Sequence, residues 1–587
     1  MTLENDSIMQ NTQTFNAQNF TVPADRAWQQ TYRDHNLDIN LEIPAHIQNL
    51  PDFFADNIAK HANHPALTFM DKTISYRELD LYSRQIAAYL QSLGLVKGDK
   101  VAVMMPNTPQ YVVTMMGIVR AGLILVNVNP LYTSHELEHQ LKDSEAKVIF
   151  IIENFAKTLE KVQDKGQIQH IITTSVGDML GLKGVVVNAV VRYVKKMVPA
   201  YHLPNAVKFK DALNQVSASR FVKPELHLDD IAVLQYTGGT TGVAKGAMLT
   251  HGNIIANVLQ CMTHVKQGFD KPYQHGDYMA VALPLYHIFS FTVMLLGMNM
   301  GMAFLLIPNA RDLNDLTKQF AKYRPVFFPA VNTLFNALTH HEGFKKLDHS
   351  RLKISLGGGM SVLPSTAAAW EKMTGNYIIE GYGLSETSPV LTFNPIGQYT
   401  GKIGIPFPAT DIVLLDDDGN EVAMGEAGEI CAKGPQVMKG YWKRDDETAK
   451  AMTENGYFRT GDVGVMDERG YFKIVDRKKD MILVSGFNVY PNEVEEAIAA
   501  NPKVLECGAI GVPDEHSGEV VKIFIVKKDD SLTEKEVRAW AKQHLTGYKR
   551  PKRIAFVDEL PKSNVGKILR KELRKLEEGN LQASQTA

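Results

Sequence analysis

The chain has 587 residues, too many for one hydrophobic core, so two or more domains are expected. Hydrophobic residues make up 44% and charged residues 22%, the balance of a globular protein, and a net charge of −2 gives no global nucleic-acid or membrane signal. Three widely spaced cysteines, Cys261, Cys431 and Cys507, argue against a disulfide framework and against a cysteine zinc site.

The first residues, MTLENDSIMQNTQTFNAQNF, have no basic start and no apolar core, so residues 1–45 are expected to be a flexible polar extension rather than a secretory signal. Residues 100–105 (KVAVMM), 122–128 (GLILVNV) and 147–152 (KVIFII) are apolar runs of strand length. Helical patterns (PQYVVTMMGIVRAG and SHELEHQLKDSEA) lie between them. This alternation predicts largely parallel sheets covered by helices. Residues 184–198 (GVVVNAVVRYVKKMV) mix valines with Arg192, Lys195 and Lys196. They read as a surface helix packing its valines inward, with a segment lying on an anionic membrane surface as the alternative.

Residues 236–246 read YTGGTTGVAKG. Glycines let backbone N–H groups approach phosphate oxygens, threonine hydroxyls add donors, and Lys245 adds charge. Gly246 follows the lysine, where the common phosphate loop requires Ser or Thr. The run 231–236 (IAVLQY) predicts a strand before the loop. Thr250 is a credible N-cap for a helix from Asn253 onward, so the loop joins strand to strand instead of opening into a helix. This context argues against a P-loop NTPase and for a mobile triphosphate clamp. Residues 291–307 (FTVMLLGMNMGMAFLLI) approach membrane-spanning length. Asn299 and two glycines interrupt the run and Pro308 ends it, which predicts a buried helix followed by a core strand.

The loop resembles the phosphate loop of the acyl-adenylate-forming enzymes, and further motifs of that family follow in order. They are EGYGLSE at 380–386, TGD at 460–462, DRKKD at 476–480 and PKSNVGK at 561–567. The stretch 455–479 (NGYFRTGDVGVMDERGYFKIVDRKK) is similar to the fatty acyl-CoA synthetase signature, departing at Tyr457, Arg459, Met466 and Glu468. The resemblance covers residues 51–573 and implies an α/β fold: a large N-terminal domain of helix-covered sheets at 46–475 and a smaller, mobile α+β C-terminal domain at 481–577. It also implies a hinge at 476–480 centred on Lys479, and a polar tail at 578–587.

Site residues follow from the same resemblance. Thr237, Gly238, Gly239, Thr240, Thr241, Gly242 and Lys245 would hold the triphosphate. Gly358, Gly359, Glu380, Gly381, Tyr382, Gly383 and Ser385 would shape the adenine pocket. Asp462 and Arg477 would grip ribose, Arg477 reaching the phosphate as an alternative. Thr237 and Glu386 would hold Mg2+, His287 would line the carboxylate pocket, and Lys567 would be the catalytic lysine. Phe291, one turn after His287, is either a tunnel gate or a core residue. Lys549 and Arg550 are candidates for the CoA phosphates.

The implied reaction converts a medium- or long-chain fatty acid, ATP and CoA to acyl-CoA, AMP and pyrophosphate. An aryl- or short-chain acid ligase is the alternative, and a non-catalytic nucleotide-binding protein would lack Lys567 or Glu386, both present here. The implied enzyme is cytoplasmic and has no nucleic-acid partner. Peripheral contact with the inner membrane and a homodimer stay open.

Overall fold

The computed structural model describes residues 20–237, 244–268, 276–485, 487–514, 516–563 and 568–585. Among them the strands form four sheets. The first is seven-stranded, in the order Val207–Lys208, His170–Thr174, Ala146–Ile152, Lys100–Met104, Ile124–Asn127, Ile231–Thr237 and Lys245–Thr250. It is parallel except at Lys245–Thr250. The second is nine-stranded, with a parallel centre running from Ile378–Gly383 through Ile354–Gly357, Phe327–Ala330, Tyr278–Val281 and Ala303–Leu306 to Pro65–Phe69. Antiparallel strands close both of its edges.

The runs expected to be strands at 100–105, 122–128 and 147–152 are strands, and the patterns between them form helices Pro109–Arg120 and Ser134–Ser144. Fully buried strands of a parallel sheet read as continuous Val/Ile/Leu runs, which is why they stand out in the sequence. Both sheets share one core cluster with helices Tyr76–Ser92, Pro109–Arg120, His251–Val265 and Ile288–Asn299. The long apolar run is therefore helix Ile288–Asn299 followed by strand Ala303–Leu306. No helix among the described residues is long and apolar enough to cross a membrane.

A four-stranded antiparallel sheet follows, Asp411–Leu415, Gly428–Lys433, Phe458–Met466 and Phe472–Arg477. After the short turn Lys478–Asp480 comes a five-stranded sheet built on the long hairpin Val504–Asp514/Gly518–Lys527, packed against helices Pro491–Ala499 and Glu534–His544. The three cysteines are free and buried.

Two expectations are overturned. Within residues 1–45, expected to be a flexible extension, residues 20–45 are packed. Helix Trp28–Asp34 buries Trp28 and Tyr32 on the four-stranded sheet. Arg26 pairs with Asp411 at 2.8 Å, and the Thr31 hydroxyl donates to the Arg469 carbonyl at 2.6 Å. The segment looks polar because its two aromatic anchors are sparse, yet each buries a large apolar area. Nor do most of the valines of 184–198 pack inward, Val187 against the large core cluster being an exception. Helix Leu182–Ala189 continues into one π-helical turn, Val190–Val194, and most of its aliphatic side chains are exposed. The buried side is made by Gly184, whose close approach to the Gly177 carbonyl leaves no room for a Cβ. Asn188 completes the seat, accepting the Gly177 N–H at 2.7 Å.

Candidate active site

Strands Ile231–Thr237 and Lys245–Thr250 are antiparallel, with Thr237 opposite Lys245 and Tyr236 opposite Gly246. They bracket the glycine-threonine loop, whose Gly238, Gly239, Thr240, Thr241 and Gly242 lie outside the described residues. The strand-to-strand context is as expected. Thr250 caps the next helix through a capping box with Asn253, and that helix begins at His251. The base of the loop is anchored from behind: the Tyr236 hydroxyl donates to Asp143 at 2.7 Å, and Arg444 pairs with the same carboxylate at 2.6 Å.

Beside this base the 3-10 turn Ser385–Thr387 touches both strands. Glu386 is buried, accepts a hydrogen bond from the Tyr441 hydroxyl at 2.8 Å and forms no salt bridge among the described residues. Burial raises its carboxyl above the usual range, with the Tyr441 bond acting the other way. The Lys245 ammonium lies 5.1 Å from the Tyr441 ring centroid and pairs with Glu447, so a phosphate reaching Lys245 would share or displace that carboxylate. Thr237 and Glu386 supply hard oxygen donors of the kind magnesium prefers, one of them a buried carboxylate with no salt bridge among the described residues. The pair thus fits a divalent ion.

On the other side, strand Ile378–Gly383 carries EGYG. The Tyr382 hydroxyl donates to Asp462 at 2.7 Å, and Arg477 pairs with the second carboxylate oxygen at 3.0 Å. Asp462 and Arg477 are cross-strand partners, so the sheet register itself brings these two sequence-distant motif residues together. The Tyr382 ring belongs to the apolar cluster that holds Trp28 and Phe472. Thr460, Gly461, Arg477, Lys478 and Lys479 line an open cleft of about 300 Å3. Lys479 is exposed over much of its surface, but desolvation in the cleft and then Arg477 draw its pKa down to about 8.

Gly358 and Gly359 follow strand Ile354–Gly357; a Cβ on Gly358 would sit 3.0 Å from the Phe289 ring, and Gly359 has φ +75°. A Cβ on Gly383 would fall 1.7 Å from the Pro389 carbonyl oxygen, so any larger residue would break the strand-to-turn corner that places Ser385 and Glu386. Gly381 packs its Cα face on Phe393. His287 is half-buried at the N-cap of helix Ile288–Asn299, and Phe291 on its first turn is fully buried core.

Glu380 is buried, accepts the Val362 N–H at 2.8 Å and is pushed up to about 8 by desolvation, which that bond only partly offsets. Its native pKa thus exceeds the ordinary 4.5 of an unfolded chain, so stability from the bound proton is fully present below 4.5 and is lost as pH rises toward 8. Glu380→Gln keeps the acceptor and removes the titration. Across pH 5 to 8, urea unfolding of this variant should become progressively more favourable to the folded state than that of wild type. Parallel curves would sink the assignment.

Lys567 lies outside the described residues. Its segment is bracketed by a bridge between Lys562 and Ile568, and Leu569 N–H donates to the Pro561 carbonyl at 2.8 Å. Just beyond, Arg570 contacts Asp476 at 3.1 Å, Asp480 at 3.4 Å and Glu495 at 2.9 Å. The turn at 476–480 and the root of the lysine segment are therefore tied together. Burial pulls the Arg570 pKa down, but Glu495 and Asp476 outweigh it and leave it above the ordinary value. Lys549, expected near CoA, pairs with Glu493 at 2.6 Å, and Arg550 donates to the Leu545 carbonyl at 2.8 Å.

The sequence reading did not single out Tyr441, Glu447, Asp143 or Arg570. Their partners lie tens to hundreds of residues away, and no local spacing marks them. Among the signature departures, the Tyr457 hydroxyl donates to Asp411 at 2.6 Å and Arg459 pairs with Glu429 at 3.0 Å. Both support the four-stranded sheet.

Residues 54–442 match the AMP-binding enzyme family, and residues 493–567 match the AMP-binding enzyme C-terminal domain. The chain belongs to the AMP-binding enzyme family. This AMP-binding enzyme is 54% identical over 544 residues to a long-chain-fatty-acid–CoA ligase of Escherichia coli O6:H1, covering 92% of this chain and 96% of that protein. A ligase of the same name from Bacillus subtilis strain 168 is 39% identical, with 92% of this chain and 97% of the relative covered. Among solved structures, an anthranilate CoA ligase in complex with anthranoyl-AMP superposes with a TM-score of 0.79 at 25% identity, covering 91% of this chain and 98% of that one. ATP-bound MatB from Rhodopseudomonas palustris gives 0.75 at 29% identity, covering 90% and 99%. The large and small parts of this AMP-binding enzyme are thus those of adenylate-forming enzymes.

Proposed function

We propose that this AMP-binding enzyme activates medium- and long-chain fatty acids to acyl-CoA, as a supply step for fatty-acid degradation by β-oxidation. A fatty-acid carboxylate oxygen attacks the α-phosphorus of ATP, pyrophosphate leaves, and an acyl-adenylate forms. The CoA thiol then attacks the acyl carbon and AMP departs. The observation that carries the reading is the buried Glu386, without a salt bridge among the described residues, set beside the loop base and near the Tyr382–Asp462–Arg477 group. That arrangement offers two separate grips on one nucleotide. Asp462 can accept both ribose hydroxyls, with Arg477 holding the carboxylate in place. Thr237 and Glu386 would hold Mg2+, which would supply positive charge against the phosphate oxygens. His287 orients the substrate carboxylate, and Lys567 meets the α-phosphate.

Chain length rests on the relatives. Ligases named for long-chain fatty acids are 51 to 54% identical to this chain in several enterobacteria. The aryl alternative has weaker support, a feruloyl-CoA synthase of Amycolatopsis at 33%. An acid-dependent ATP–pyrophosphate exchange series from acetate to oleate, with cinnamates included, should peak on a medium- or long-chain acid, because each CH2 buried from water gains about 0.8 kcal/mol. A maximum at acetate or a cinnamate would refute the substrate class. The reading includes a cytoplasmic location with peripheral contact at the inner membrane, and a homodimer is compatible with it.

A further inference from the structure

We infer that residues 182–197 are a membrane-docking element, seating this enzyme on an anionic lipid surface by a stripe of aliphatic side chains flanked by lysines. The inference rests on the proposed peripheral membrane contact and names the surface that makes it. Leu182 is 92% exposed, Val186 64%, Tyr193 74%, Val194 74% and Met197 55%, with Val185 and Val190 beside them. Leu182, Val186 and Val190 recur at helical spacing, Tyr193 and Val194 lie on the π-helical turn that follows, and Met197 comes just after it, so the exposed apolar side chains cluster along one short element. That cluster is held outward from behind by Gly184 against Gly177 and by Asn188 on the Gly177 N–H. A cluster of exposed aliphatics on a well-seated helix is costly in water and marks an interaction surface.

Charge selects the occupant. No acidic residue occurs between Asp178 and Asp211, whereas Lys183, Arg192, Lys195, Lys196, Lys208 and Lys210 lie in that stretch. Arg192 is paired with Glu153, Lys183 with Asp71 at 3.6 Å and Lys210 with Asp178 at 3.8 Å. Lys195 and Lys196 are exposed at the end of the helix and have no salt-bridge partner among the described residues. Aliphatic side chains with free lysines at their edge, and a tyrosine whose ring and hydroxyl suit the headgroup boundary, match an anionic bilayer. The whole chain is slightly negative, so this local charge does not come from a generally basic surface.

The test is co-sedimentation of the full chain with phosphatidylcholine vesicles, with and without 30% phosphatidylglycerol, at low and physiological salt. Wild type should bind the anionic vesicles and bind less as salt rises. Lys195→Gln/Lys196→Gln should weaken binding about thirty-fold, from about 1 kcal/mol per lysine near such a surface. Leu182→Gln/Val186→Gln should weaken it at least about ten-fold on vesicles of either kind. Both variants should keep wild-type ATP–pyrophosphate exchange in vesicle-free solution, which shows that they are folded. Wild-type binding that both variants retain would overturn this element while leaving peripheral contact intact. No binding by wild type would overturn both readings. Loss of a dimer in light scattering, with vesicle binding unchanged, would assign the face to a second copy of the chain and overturn the lipid assignment.

Discussion

Lys567→Ala is expected to slow acyl-adenylate formation about 100- to 1000-fold, the usual scale for removing one electrostatic stabiliser. Thioester formation from supplied acyl-AMP and CoA should change far less. When a carboxylate meets the α-phosphate two anions approach each other, and an ammonium between them stabilises the transition state more than the ground state. No such approach occurs when a thiol attacks a preformed mixed anhydride. If the turn Lys478–Asp480 is the hinge that the resemblance implies, Lys479→Pro should show the opposite pattern, because a fixed φ there would restrict rotation of the small domain between the two half-reactions. Each half-reaction is measured on each variant. Equal losses in both steps for Lys567→Ala would show that the lysine does not act in adenylation alone.

Arg570→Leu is expected to destabilise the small domain by about 3–5 kcal/mol, the cost of stripping the cation from buried carboxylates. Asp476 has 0% of its side chain exposed and Glu495 17%, and Arg570 faces both. Asp476 also accepts the Asn492 N–H at 2.6 Å, so it cannot simply turn away to water. Hydrogen exchange of strands Val504–Asp514 and Gly518–Lys527 reads the loss directly. Adding Asp476→Asn and Glu495→Gln to Arg570→Leu should recover part of it. A single variant as stable as wild type would mean that the cluster is solvated in solution.

Much of the architecture was legible because buried parallel strands leave unbroken apolar runs and capping residues mark helix starts. Residues 100–152 and Thr250 are examples. Of the site, the EGYG and TGD motifs were legible as words, but only the sheet register shows that Asp462 stands opposite Arg477 and under the Tyr382 hydroxyl. Long-range partners leave no periodic trace. Tyr441 reaches Glu386 across 55 residues, and Lys245 reaches Glu447 across 202. The outward valines were misread for a related reason: amphipathic spacing shows that a helix has an apolar face but not which side the fold covers. Gly184 and Asn188 decide that, through their contacts with Gly177 and Asp178.

The helix Trp28–Asp34 has a consequence for how the chain is made. Its anchors lie far downstream: Trp28 packs on Phe472 at 5.9 Å between ring centroids, and Thr31 bonds Arg469, 438 residues later. At about 5–20 residues per second, a ribosome needs roughly 20 to 90 seconds to supply that docking site. During this time the nascent chain carries an unpaired tryptophan and tyrosine near its start, the sort of exposed apolar surface that chaperones retain. Only when the four-stranded sheet is complete can helix Trp28–Asp34 close over it. Helix Trp28–Asp34 thus becomes a late clasp, fastened after nearly everything else in the large domain has been synthesised.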